Sequence, residues 1–68
     1  MQNLKIGNSF ALQTPKGNFM IIITDMTYNF DYNELFVKYD NVNLQSREVE
    51  TFEKDVNSLK SILDKYNK

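Results

Sequence analysis

Apolar and polar residues alternate at the start of the chain. Four large apolar residues after Met1 occupy even positions: Leu4, Ile6, Phe10 and Leu12. This two-residue period predicts a half-buried β-strand, and Gly7-Asn8 in its middle predicts a bulge or a bend. Residues 14–18, Thr-Pro-Lys-Gly-Asn, predict a tight turn, because proline presets φ and glycine accepts a left-handed conformation. We therefore expect the first two strands to be antiparallel neighbours.

The next apolar run predicts a central strand. It extends from Asn18 to about Thr27 and is apolar on both faces around residues 19–23. Such a pattern suits a strand that is covered at least partly on both sides.

A second turn and a further strand follow. Residues 29–31, Asn-Phe-Asp, predict a turn, and Glu34 to Tyr39 alternate as a third strand. Asp40-Asn41 predicts another tight turn. Val42 and Leu44 then favour a short fourth strand.

From Ser46 onward the apolar period becomes helical. The apolar residues of this segment lie three or four positions apart, with one addition at position 62: Val49, Phe52, Val56, Leu59, Ile62, Leu63 and Tyr66. Ser46 is a candidate N-cap, and Glu48 and Glu50 would lie near the positive end of the helix dipole. Thr51 is the alternative cap if residues 42–50 are extended.

The apolar stripe of this helix has two interpretations. Taken as a heptad pattern, it predicts a short coiled coil and hence a homodimer. Ile62 widens the stripe beyond a two-stranded seam, which favours packing on the chain's own sheet. Because such a sheet is small, we expect Leu63 and Tyr66 in the last turns to contact a second chain.

Together these elements predict an α+β fold in a single domain. Residues 1–45 form a three- or four-stranded antiparallel β-meander, and residues 46–68 form one C-terminal amphipathic helix. A small SH3-like barrel with a helical tail is the alternative, since a strand, a turn, a long central strand and a short return also fit it.

The composition excludes several classes of function but does not identify one. Of the 68 residues 41% are hydrophobic and 25% charged, as in ordinary globular domains. The net charge of −1 provides no long-range attraction to nucleic acid or to a membrane. Without cysteine, disulfides and thiolate zinc sites are excluded, and without histidine the commonest remaining metal ligand is absent. We expect no cofactor, no signal peptide, no membrane span and a cytoplasmic location.

The residues needed for catalysis are largely absent. Without histidine and cysteine there is no Ser–His or Cys–His pair and no zinc-bound water, and Gly7 and Gly17 are the two glycines, too few for a phosphate-binding loop. Two of the three carboxylates Asp25, Asp31 and Glu34 could form a pair, but a domain this small is unsuited to enclosing the cleft that such a pair requires. Their spacing does not match a calcium loop. We therefore expect a protein that is not an enzyme and has no metal site.

The segment from residue 25 to residue 34 is the strongest candidate for a binding surface. Large side chains alternate there with polar ones: Met26, Tyr28, Phe30 and Tyr32. Asp31 and Glu34 would form an acidic rim. Aromatic residues and methionine are typical anchors of protein interfaces. In the competing interpretation, the same rings close the protein's own core.

The function favoured by elimination is a small protein-binding module. An acidic rim suits a basic partner protein, and the abundance of asparagine and lysine is typical of AT-rich coding sequences. We therefore expect a phage or mobile-element accessory protein that regulates or inhibits a host protein. The alternative is a single-stranded nucleic-acid-binding protein that stacks bases on its aromatic residues. Residues 1–45 contain three basic residues against four acidic ones, which disfavours that alternative.

Overall fold

In the computed structural model, residues 4–67 form one open antiparallel sheet with a helix across one face. The described residues contain four strands and one helix: β1 (Ser9–Thr14), β2 (Gly17–Asn29), β3 (Glu34–Asn43), β4 (Val49–Asp55) and α1 (Val56–Tyr66). Each strand pairs with the next along the chain, in the order β1-β2-β3-β4. This confirms the predicted α+β meander with a C-terminal helix. The sheet remains open, with β1 and β4 at opposite edges, so the fold is not the alternative SH3-like barrel.

The turn between β1 and β2 forms where the sequence predicts it. The hydroxyl of Thr14 accepts the amide of Lys16 at 3.2 Å and donates to the carbonyl of Gly17 at 2.9 Å. Gly17 has a φ of 131°, which glycine adopts without strain. The regular strand begins only at Ser9, and Leu4 packs against the core from the segment before it.

The long strand β2 changes register once. Its pairing with β3 shifts between Ile23 and Asp25, so that Thr24 is an extra residue in the ladder. The hydroxyl of Thr24 donates to the carbonyl of Lys38 across this irregularity. Such a bulge increases the local twist and redirects the strand beyond it.

The sequence-based prediction for residues 40–44 is wrong. Asp40-Asn41 does not turn the chain, because β3 continues to Asn43. The chain reverses after Asn43, whose side-chain oxygen accepts the amides of Gln45 and Ser46. Arg47 takes a φ of 67° in this turn. The fourth strand is β4, and Val42 belongs to the end of β3.

The helix begins at Val56, so the predicted start at Ser46 is also wrong. The boundary between sheet and helix lies at residues 55 and 56, not at 45 and 46. Val49 and Phe52 fit a helical spacing but lie in β4 on opposite faces of the sheet. Phe52 pairs with Tyr39, with ring centroids 5.8 Å apart, whereas Val49 is 56% exposed.

The core lies between α1 and one face of the sheet. Its buried side chains come from three strands and the helix: Leu12, Ile21, Ile23, Val37, Tyr39, Leu59 and Leu63. Leu63 is fully buried, so it is not available for the predicted contact with a second chain. Tyr66 and Ile62 are half-buried and pack against the same core. The part of the stripe that lies in α1 therefore packs on the chain's own sheet.

The helix also reaches the edge of the sheet. The side-chain amide of Asn67 donates to the carbonyl of Ala11 at 2.7 Å. This bond connects the C-terminal end of α1 with the edge strand β1. Within residues 4–67, no helix combines the length and apolar character needed to cross a membrane.

Candidate functional site

The β2–β3 hairpin extends beyond both edge strands. The pairing of β1 with β2 begins at Ser9 and Ile22, and β4 ends opposite Phe36. Residues 28 and 29 therefore pair in the sheet with residues 35 and 34 alone. We call residues 27–36 the hairpin tip. Its projection contributes to the elongated dimensions of the molecule, 38 × 22 × 18 Å.

Two asparagine side chains organise the loop of the tip. Oδ1 of Asn29 accepts the amide of Asp31 at 2.9 Å and the amide of Tyr32 at 3.2 Å. Asn33 takes a φ of 54°, a left-handed conformation that asparagine tolerates well. Its Oδ1 also accepts the hydroxyl of Tyr28. The loop is thus closed by hydrogen bonds and backbone conformation.

The aromatic side chains of the tip remain exposed. Phe30 is 86% exposed, Tyr32 72% and Tyr28 42%. Tyr28 and Phe30 pack edge to face, with ring centroids 4.9 Å apart. Because these rings are outside the core, the interpretation that they close it does not apply to them.

The six predicted binding residues separate into two groups. Tyr28, Phe30, Asp31, Tyr32 and Glu34 all belong to the hairpin tip and are exposed. Met26 is half-buried and packs against the core, so it does not join them. The competing interpretation, that this segment closes the core, is therefore correct for Met26.

A depression lies at the base of the hairpin tip. It has a volume of about 420 Å³ and is lined by Thr27, Tyr28, Asn29, Phe30, Asp31, Phe36 and Glu53. Strand alternation places Thr27, Phe36 and Glu53 on the sheet face opposite the helix. The depression therefore combines aromatic side chains with the carboxylates of Asp31 and Glu53.

Sequence reasoning missed two important residues of this depression. Phe36 was predicted in the third strand and not among the residues that bind a partner protein. Glu53 was predicted within the helix, far from the aromatic segment. The register that aligns Lys38 with Glu53 brings Glu53 close to the tip. No local sequence signal could have identified this pairing.

The two perturbed ionisable groups do not line the depression, although Asp55 pairs with Phe36 of the hairpin tip. Burial raises the pKa of the Tyr39 hydroxyl in the core. Hydrogen bonds from the side chain and the backbone amide of Ser58 lower the pKa of the Asp55 carboxyl at the helix N-terminus. The shift of Tyr39 follows from its burial in the core, and that of Asp55 follows from its role as the N-cap of α1.

Among residues 4–67, no group of three or more acidic side chains could hold a metal ion. The depression offers two carboxylates, one amide, two hydroxyl groups and aromatic faces. Comparison of the sequence with protein families and with curated proteins, and of the fold with solved structures, finds no match.

Proposed function

We propose that this chain is a small non-enzymatic protein-binding module whose hairpin tip contacts the partner. The observation that carries this proposal is the exposure of Phe30 and Tyr32, 86% and 72%, on a loop fixed by Asn29. A folded protein gains little stability from two large rings in solvent. Large aromatic side chains are, however, the commonest anchors of protein interfaces.

The fixed geometry of the loop favours binding energetically. Association costs free energy when side chains and loops become ordered, and a loop that is ordered beforehand reduces that cost. Each aromatic ring buries about 150–250 Å² when it is covered. Two rings supply roughly half of the ~800 Å² that one partner contributes to a standard interface. Asp31, Glu34 and the neighbouring depression would supply much of the remainder.

The charge of the tip favours a protein over nucleic acid. Exposed aromatic residues on a small sheet can also stack nucleobases. The hairpin tip contains two acidic residues, Asp31 and Glu34, and neither lysine nor arginine. Phosphate neutralisation by basic residues supplies most of the non-specific affinity for nucleic acid. A basic surface on a partner protein fits this charge better.

The biological setting that we propose is regulatory. A phage or mobile-element accessory protein in the cytoplasm would act in this way, by occupying a surface of a host protein. Regulation or inhibition of the host protein would then follow from binding alone.

The proposal is tested by capture of the partner with tip variants. The immobilised protein is incubated with a lysate of the native host, and captured proteins are identified by mass spectrometry. Phe30→Ala and Tyr32→Ala should each reduce capture of the same protein at least tenfold, because hot-spot rings contribute about 2 kcal/mol or more. Both variants should retain the thermal midpoint of the unmodified protein.

Ile6→Ala is the matched control, since Ile6 is 61% exposed and lies outside the tip. It should leave capture unchanged. Equal capture by all three variants would contradict the proposal. Salt-sensitive binding of a single-stranded oligonucleotide, lost in Tyr32→Ala, would instead favour nucleic acid.

A further inference from the structure

The depression at the base of the hairpin tip combines groups that can bind a cationic side chain. Phe30 and Phe36 supply aromatic faces, and Asp31 and Glu53 supply carboxylates. We infer that it holds the guanidinium group of an arginine in a basic segment of the partner protein. This inference rests on the proposed function and adds the chemistry of the partner to it.

The aromatic lining favours a planar cation. A guanidinium group stacks on aromatic rings through cation–π attraction, and arginine does so more often than lysine. Phe30 is mostly exposed and Phe36 half-buried, so both rings retain surface for such a contact. An aliphatic side chain would also cover these rings but would leave the carboxylates without a partner.

The carboxylates give the depression its charge complementarity. Within residues 4–67, the side chains of Asp31 and Glu53 accept no hydrogen bond and form no ion pair. A guanidinium group has five N–H donors in a fixed plane and can bond to carboxylates in two directions. The two acids come from different elements, the loop of the tip and β4, so one cation would connect them.

The dimensions of the depression agree with such an occupant. Its volume of about 420 Å³ lies within the range of small-ligand sites, ~300–1,000 Å³. Lys38 pairs with Glu53 in the sheet, but it does not line the depression. The space between the carboxylates and the rings is therefore accessible to a cation from another chain.

Peptide titration followed by two-dimensional NMR tests this inference. The probes are three acetylated, amidated peptides that differ at one central residue: arginine, lysine, or citrulline, which is the neutral analogue of arginine. The arginine peptide should shift the amide signals of residues 27–31, 36 and 53 in a saturable manner. Lysine should bind more weakly, and citrulline should produce no saturable shift.

Variants of the two carboxylates make the test specific. Asp31→Asn and Glu53→Gln should each weaken binding of the arginine peptide about two- to fivefold, as expected for exposed ion pairs. Glu50→Gln is the matched control, because Glu50 lies on β4 but does not line the depression. It should bind the arginine peptide with unchanged affinity.

The outcomes separate this inference from the proposed function. Equal shifts with all three peptides, or none, would overturn the arginine site. If Phe30→Ala still abolished partner capture in that case, the proposed function would remain and the arginine site alone would fail. If peptide binding and partner capture were both insensitive to the tip variants, the arginine site and the proposed function would both fail.

Discussion

The side-chain oxygen of Asn29 accepts the backbone amide of Tyr32 at 3.2 Å, across the loop of the β2–β3 hairpin. The same oxygen accepts the amide of Asp31 at 2.9 Å. The Asn29 side chain therefore holds the backbone of the loop at the two residues that follow Phe30. Because the aromatic rings take no part in these two bonds, the loop conformation and the rings can be altered by separate substitutions.

Replacement of Asn29 should loosen the loop without removing an aromatic residue. Asn29→Ala removes two hydrogen bonds, each worth about 0.5–1.5 kcal/mol in general and less where water can replace them. We expect amide hydrogen exchange at Asp31 and Tyr32 to accelerate and partner capture to fall. Asn18→Ala, on the same strand in an exposed position, should change neither measurement. Unchanged exchange in Asn29→Ala would contradict the role of this side chain.

Strand alternation and the turn at residues 14–17 could be predicted because their signals are local. Period-two alternation, proline and glycine act within a few residues of one another. The start of the helix could not be predicted in the same way. Val49 and Phe52 have the three-residue spacing of a helix, yet pairing with β3 places them on opposite faces of an edge strand. That pairing is a long-range interaction, which the local pattern does not contain.

The same distinction applies to the candidate site. The aromatic residues of the tip are visible in the sequence because they alternate within one segment. Met26 follows the same alternation, yet it packs against the core formed with a distant helix. Glu53 joins the depression because the β3–β4 hairpin places β4 beside β3. Whether a residue lies at the exposed site therefore depends on the register of the strands and on the position of α1.

Leu63 should act as a core residue and not as an oligomer contact. It is fully buried, so Leu63→Ala should lower the free energy of unfolding by about 2–5 kcal/mol. This is a large part of the total stability of a domain this size, and the variant should be partly or wholly unfolded at 37 °C. Val49→Ala, at a 56% exposed position, should change the free energy of unfolding by about 0.5 kcal/mol or less. A Leu63→Ala protein with an unchanged urea midpoint and altered sedimentation would instead identify an interface residue.

Gly17 should be intolerant of a side chain for conformational reasons. Its φ is 131°, and an added Cβ would lie 3.4 Å from the side-chain oxygen of Gln45. The space is sufficient, but the backbone conformation is strained for any other residue, at a cost of about 1–3 kcal/mol. Gly17→Ala should therefore lower the thermal midpoint by several degrees, whereas Lys16→Ala in the same turn should not. Equal midpoints for the two variants would show that the turn adapts.

The helix N-terminus should give the protein a component of acid sensitivity. The carboxylate of Asp55 accepts the amide of Ser58 at 3.0 Å and its hydroxyl at 2.6 Å, and these bonds lower the pKa of Asp55. A carboxyl whose pKa is lower in the folded state stabilises that state above the unfolded pKa, which is about 3.9. The contribution is lost as pH falls through the lower, folded pKa.

Asp55→Ala should therefore reduce the thermal midpoint at pH 7, and the difference from the unmodified protein should shrink below pH 4. Asp55→Ser should retain the helix, because serine is also a good N-cap, but should lose this pH dependence. A constant difference between Asp55→Ala and the unmodified protein from pH 7 to pH 2 would contradict the assignment.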